Sequence, residues 1–218
     1  SGIASCMITT AKPEGEDLPE VFYLDLRGVP WDGSQGLQLL AQWDGHGMQA
    51  TQSHAFHFSS FPAVRNAWPG NFKELGALVS TFGAAAFAAV ILGVVETAVV
   101  AARVQLKARR ASLRPFEQVE WARVEMEAWL AEQAYEGLLR AIEAGDMAQA
   151  YAAGLRAKTA IAELAEAAMF RLCKVIGGGS FARSSSFGNW AEDVRALGFL
   201  RPPWGLAYDQ LLANALPE

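Results

Sequence analysis

The chain has 218 residues, 52% of them hydrophobic and 19% charged. It is too apolar for a disordered chain and long enough for one large domain or two small ones. A formal net charge of −5 gives no electrostatic reason to expect nucleic acid as a partner. Cys6 and Cys173 lie far apart, without CxxC or zinc spacing, so neither a disulfide framework nor a cysteine-rich metal site is indicated. Two cysteines fit a reducing, cytoplasmic compartment. The opening SGIASCMITT lacks the basic region of a signal peptide and reads as the middle of a longer protein.

Residues 1–70 hold five of the nine prolines and all three histidines. Short alternating or apolar runs predict strands at Cys6–Thr10, Val21–Arg27, Leu37–Trp43 and Ser53–Phe61. KPEGEDLPE, VPWDGSQG and WDGHG supply the turns between them. In the last run Phe56 and Phe58 share a face, with His54 on the same side. His57, three residues on, faces the other way, so the two histidines are poor co-ligands for a metal.

From Asn71 onward alanine, leucine, glutamate and arginine dominate, and prolines are confined to Pro115, Pro202, Pro203 and Pro217. This predicts helices at 72–109, 115–143 and 146–176, then shorter ones at 188–198 and 203–214. Phe116, Val119, Ala122, Met126, Trp129 and Leu130 recur at helical spacing and read as one core stripe. Ile161, Leu164, Ala168, Leu172 and Val175 read as another. Trp121, Trp129, Trp190 and Trp204 are expected to pack in the core. The run TFGAAAFAAVILGVV, Thr81 to Val95, falls short of the roughly 20 apolar residues a bilayer span needs and reads as a buried soluble helix. The expected fold is α+β and mostly α, with a β domain over 1–70 and a helical domain over 71–218.

Three stretches resemble the acyl-CoA dehydrogenase superfamily. In WDGHGMQATQSHAFHFSSFPA, Gly47, Met48, Ala50, Thr51 and Ser53 match that family's Gly-Met-Arg-Ala-Thr/Ser-x-Ser motif, with Gln49 in place of arginine. LGVVETAVVAARVQLKAR is similar to a family helix that ends on arginine. IGGGSFARSSSFGNWAEDVRAL is similar to the signature that opens on Gly-Gly and runs into Arg-Asp-x-Arg-Ala; here the acidic pair is Glu192–Asp193. The resemblance is collinear over the chain. It implies part of a middle β-barrel followed by an up-down four-helix bundle, without the family's N-terminal helical domain.

The resemblance further implies an FAD-dependent oxidoreductase acting on an acyl thioester or other small molecule. It implies a homodimer or homotetramer, with no nucleic acid and no membrane span. Arg109 would face the FAD diphosphate, and Gly177 and Gly178 would let backbone approach it. The resemblance places the flavin-ring half of the site before this chain, so the chain alone is expected to bind FAD weakly or not at all. The family's catalytic glutamate has two usual places. Arg201 aligns with one and Phe82 or Gly83 with the other, and none of these can take a proton from carbon. The catalytic residue is therefore unassigned; Asp209 and Glu192 are the neighbouring acids. A flavin monooxygenase of the same fold, or a non-catalytic assembly module, are the alternatives. KARRASLR, residues 107–114, reads either as a solvated helix end or as a phosphate contact.

Overall fold

The structure, a computed structural model, describes residues 4–66 and 72–216, with side chains left out for 72–75 and 77. The chain divides into two compact units, Ser1–Gly76 and Ala77–Glu218.

The first unit is built of short antiparallel strands. β1 (Cys6–Ala11) pairs with β2 (Glu20–Asp25), and β2 pairs with β5 (Val64–Arg65), giving a sheet of order β1-β2-β5. β3 (Leu37–Ala41) and β4 (Ala55–Phe58) form a second, two-stranded sheet with an irregularity between Leu39 and Ala41. The expected partial barrel is thus two separate sheets among the described residues, not a closed one. Closure needs a continuous ladder of tilted, staggered strands, and the ladder breaks between the two sheets. β5 was not foreseen, because two residues carry no alternation to read. Gly36 closes the turn that leads into β3: its φ is +81°, and a Cβ there would sit 2.4 Å from the Ser59 carbonyl oxygen.

The second unit is helical. α1 (Phe72–Ala108), α2 (Pro115–Glu143) and α3 (Met147–Ile176) are long; α4 (Ser186–Phe199) and α5 (Trp204–Ala215) are shorter. Their limits follow from local chemistry. Pro115 starts α2, where its missing N–H costs nothing. Gly145, at φ 78°, turns the chain, and the Asp146 carboxylate then caps α3 by accepting from the N–H groups of Ala148 and Gln149 at 3.0 and 3.1 Å. Pro202 and Pro203 separate α4 from α5.

α3 is the central helix, with twelve buried residues against four on α2. Four of the five residues in its expected stripe, Ile161, Ala168, Leu172 and Val175, are buried, and Leu164 is half-buried. The stripe expected on α2 is the wrong face. Phe116, Val119, Met126, Trp129 and Leu130 are exposed in this chain, and Val124, Glu127, Ala131 and Leu138 are inside. Half of the residues α3 buries against its neighbours are alanine or glycine, which lets helices approach closely. The smaller face of α2 fits that approach and its aromatic face does not. Trp129 and Trp204, expected in the core, are likewise exposed, while Trp190 packs edge-on to Phe187.

α1 is half what was expected. Ala85, Ala88, Ile91, Val95, Ala98, Ala102 and Leu106 are buried. Phe82, Phe87, Val90, Val100 and Val104 are exposed, and only 28% of its most apolar window is buried in the chain. By length and composition alone Leu78–Ala108 could cross a membrane, at mean hydropathy 2.3. A core helix passes the same test, so this is weak evidence.

Candidate functional site

The end of α1 meets the end of α3. Arg109, just past the α1 terminus, donates from Nη1 to Glu117 Oε1 at 2.8 Å and from Nη2 to the Val175 carbonyl. Glu117 Oε2 accepts from the Arg114 backbone N–H at 2.9 Å, which caps α2. That N–H and the Arg109 guanidinium hold the Glu117 carboxyl below the usual glutamate range. Gly177 follows Val175 by two residues and ends α3 at φ 86°. The structure therefore brings Arg109 and the triple glycine together. A Cβ built on Gly177, Gly178 or Gly179 would meet nothing within 4 Å, so the backbone there lies open. Ser180 is buried beneath it and donates to the Gly177 carbonyl at 2.8 Å.

Beside this junction a groove of about 610 Å³ runs between the end of α1 and the start of α2. Lys107 and Arg110 line one wall, Gln118 and Trp121 the other, and Leu106 and Leu113 also line the groove. Arg103 at one end is neutralised by a two-pronged pair with Glu125 at 2.9 Å. Lys107 and Arg110 have no side-chain partner among the described residues. Sequence reasoning singled out Arg109, but Arg109 is the member of the basic run that is already paired. The run itself was visible; which of its cations remain unpaired depends on where Glu117 and Glu125 fall. Two unpaired cations, apolar contact and an indole suit a phosphorylated ligand with a flat ring.

The positions aligned with a catalytic base hold none. Phe82 is exposed on α1, Gly83 follows it, and Arg201 is exposed in the α4–α5 loop with no partner among the described residues. Glu192 is tied to Arg195 at 2.7 Å, and Asp209 is on the outer surface of α5.

A second cavity, of about 410 Å³, lies between α3, α4 and α5. Lys158 and Glu166 line it, with Phe199, Trp204 and Tyr208. Burial pushes the Glu166 carboxyl up. The Tyr208 hydroxyl donates to the Glu163 carboxylate, which raises the Tyr208 pKa. Lys158 is only 3% exposed, and sequence reading passed over it. Its spacing was the available signal: it lies three residues before Ile161 and seven before Ala165, squarely in the buried stripe.

On the first unit the GMQATQS segment forms a tight turn. Met48 and Gln52 are left-handed around Gln49–Thr51, and Thr51 Oγ1 donates to the Met48 carbonyl at 2.7 Å. His54 Nδ1 accepts from the Trp43 N–H at 2.8 Å and its ring packs edge-on to Trp31. His54 is thereby committed to structure, and His57 is exposed.

No protein-family model and no curated protein matches the sequence. Solved structures do. The chain is similar to KijD3 in complex with FMN and dTDP-3-amino-2,3,6-trideoxy-4-keto-3-methyl-D-glucose, at TM-score 0.79 and 22% identity over 98% of this chain and 56% of that one. It is similar to dibenzothiophene monooxygenase from Paenibacillus sp., at TM-score 0.80 and 18% identity over 98% and 61%. It is similar to an acyl-CoA dehydrogenase from Slackia heliotrinireducens, at TM-score 0.74 and 15% identity over 97% and 57%. The fold is that of the acyl-CoA dehydrogenase-like flavoproteins. The chain spans 56 to 61% of the length of these structures.

Proposed function

We propose that the chain is the sheet-and-bundle part of an FAD-dependent oxidoreductase acting on a small molecule. The groove between α1 and α2 carries this reading, through two cations with no counter-charge, Lys107 and Arg110, beside the open glycine backbone that Arg109 abuts. The residues present fit a flavin dinucleotide. Lys107 and Arg110 would hold phosphate oxygens, Trp121 would present its indole to a ring, and Arg109, with donors to spare, would set the edge of the site near Gly177 and Gly178. When bound, the flavin supplies the electron transfer or oxygen chemistry that amino-acid side chains lack. The solved structure of KijD3 with FMN supports a flavin in this fold.

Arg201 takes an anionic part of the substrate in this reading. No carboxylate stands at either aligned base position, which favours a reaction other than α-proton removal from an acyl thioester. A flavin-dependent monooxygenation meets that condition, and the likeness to dibenzothiophene monooxygenase agrees with it. The exposed apolar faces of α1 and α2 are covered by a second copy of the chain, giving a homodimer or homotetramer that light scattering reads directly. Two free thiols, Cys6 and Cys173, suit a cytoplasmic protein.

The test is titration of the chain with FAD, followed by flavin fluorescence. Weak binding is expected, reduced roughly tenfold by Arg110→Gln and by Lys107→Gln, or about 1.4 kcal/mol each, and reduced further by salt. Equal affinity in wild type and the double variant rules the groove out. Oxygen consumption by NADH-reduced flavin with substrate, against deuterium exchange at the α-carbon of acyl-CoAs, then separates the two reaction classes.

A further inference from the structure

Lys158 is a buried ammonium near the middle of α3, and no carboxylate among the described residues is bonded to it. Its Nζ donates to the carbonyl of Leu200 and to the carbonyl of Pro202, each at 2.6 Å. Those two carbonyls bracket Arg201. The loop cannot satisfy them locally. Pro202 and Pro203 have no N–H, so two successive backbone donors are missing where the chain passes from α4 to α5. A carbonyl left without a donor away from water is disfavoured, and the lysine supplies a donor to each of these two half-buried residues. An apolar side chain at this depth would pack against Ile161 and Ala162 at lower desolvation cost. The ammonium is therefore spent on the loop. Burial lowers the Lys158 pKa, while two carbonyl oxygens at short range favour its charged form.

We propose that Lys158 is the positioning residue for Arg201: it clamps the α4–α5 loop from the core of the bundle and so fixes the stretch of backbone from which the Arg201 side chain reaches substrate. This rests on the reading of Arg201 given above. An exposed arginine on a free loop would have to be ordered by each ligand it met. One whose flanking carbonyls are both tied to a buried helix starts from backbone that is already placed.

The experiment uses the 218-residue chain and inorganic pyrophosphate as the probe. Two NMR signals report. The Nε–Hε signal of Arg201, assigned by its loss in Arg201→Gln, follows pyrophosphate. The backbone amides of Leu200 and Ala207, which bond to Ala196 and Pro203 on either side of the loop, follow its order by hydrogen exchange. Lys158→Met is expected to weaken the Arg201 response about fivefold or more and to speed exchange at both amides roughly tenfold. Arg201→Gln leaves the two amides slow. Lys158→Gln, which keeps donors on a shorter stem, falls between wild type and Lys158→Met, and it carries the test if the methionine variant does not fold. In wild type the Lys158 ammonium gives a slowly exchanging signal.

An unchanged Arg201 response in Lys158→Met overturns the proposal even if stability falls, because a lysine that only supports the bundle would leave that response intact. A fast-exchanging Lys158 ammonium in wild type also overturns it. Lack of FAD binding alongside a working clamp counts against the flavin reading alone. FAD binding with a loop indifferent to Lys158 counts against the clamp alone.

Discussion

Gly154 lies in the first third of α3, where that helix touches α1 and α2 together. A Cβ built on it would lie 3.6 Å from Leu138 Cδ1, 3.9 Å from Ala84 Cβ and 3.9 Å from the Thr81 Cα. These are ordinary contact distances, so one methyl group fits without moving a neighbour. Glycine inside a helix costs about 0.5–1 kcal/mol relative to alanine, by the backbone freedom it loses on folding. The new methyl also makes attractive contacts on three sides. Gly154→Ala is therefore expected to stabilise the protein by about 1 kcal/mol, raising Tm by roughly 2–4 °C. Gly154→Leu places three further carbons against Leu138 and the α1 backbone. It is expected to destabilise by about 1–3 kcal/mol through overpacking. Urea unfolding followed by far-UV circular dichroism gives both numbers from the shift in midpoint at constant slope. A loss of more than about 1 kcal/mol in the alanine variant would refute the reasoning, because it would mean α1 and α3 approach more closely than these distances allow.

Other outcomes follow from single contacts. Asp146→Ala removes the cap on Ala148 and Gln149 and should cost about 1 kcal/mol, while Asp146→Asn should be nearly neutral in the same unfolding assay. Arg171 donates to Glu120 and to Glu127 at 2.8 Å, joining α3 to α2, and its hydrogen bond lowers the Glu120 pKa from 4.5. A lowered carboxylate pKa contributes stability that is complete above the unfolded value and disappears as pH falls through the folded one. Arg171→Met should accordingly lower stability at neutral pH and flatten its decline in acid; an acid limb as steep as wild type would count against the pairing. Cys6 is exposed, whereas burial pushes the Cys173 thiol up. A thiol-reactive dye should label Cys6 in the native protein and Cys173 only after denaturation, read by mass spectrometry of the two peptides.

Element order and limits were legible in the sequence because they rest on local chemistry. Proline at the start of α2, glycine and aspartate before α3, and the proline pair between α4 and α5 act within a few residues of themselves. The α3 stripe was legible because that helix has one apolar face. α2 has two, and periodicity cannot rank them. The choice went to the face small enough for the alanine-rich surface of α3, leaving Trp129 and Phe116 outside. The strands were visible, but their division into two sheets was not, because register between distant segments has no local signature. In the site, the basic run after α1 was visible, and so were the glycines after α3. That Arg109 is paired while Lys107 and Arg110 are not depends on Glu117 and Glu125, which only helix packing brings into range. Lys158 shows the same limit most sharply. Along the sequence it is one cation among many. Its role exists only because folding brings it to two carbonyls more than forty residues away, in a loop whose prolines cannot donate to them.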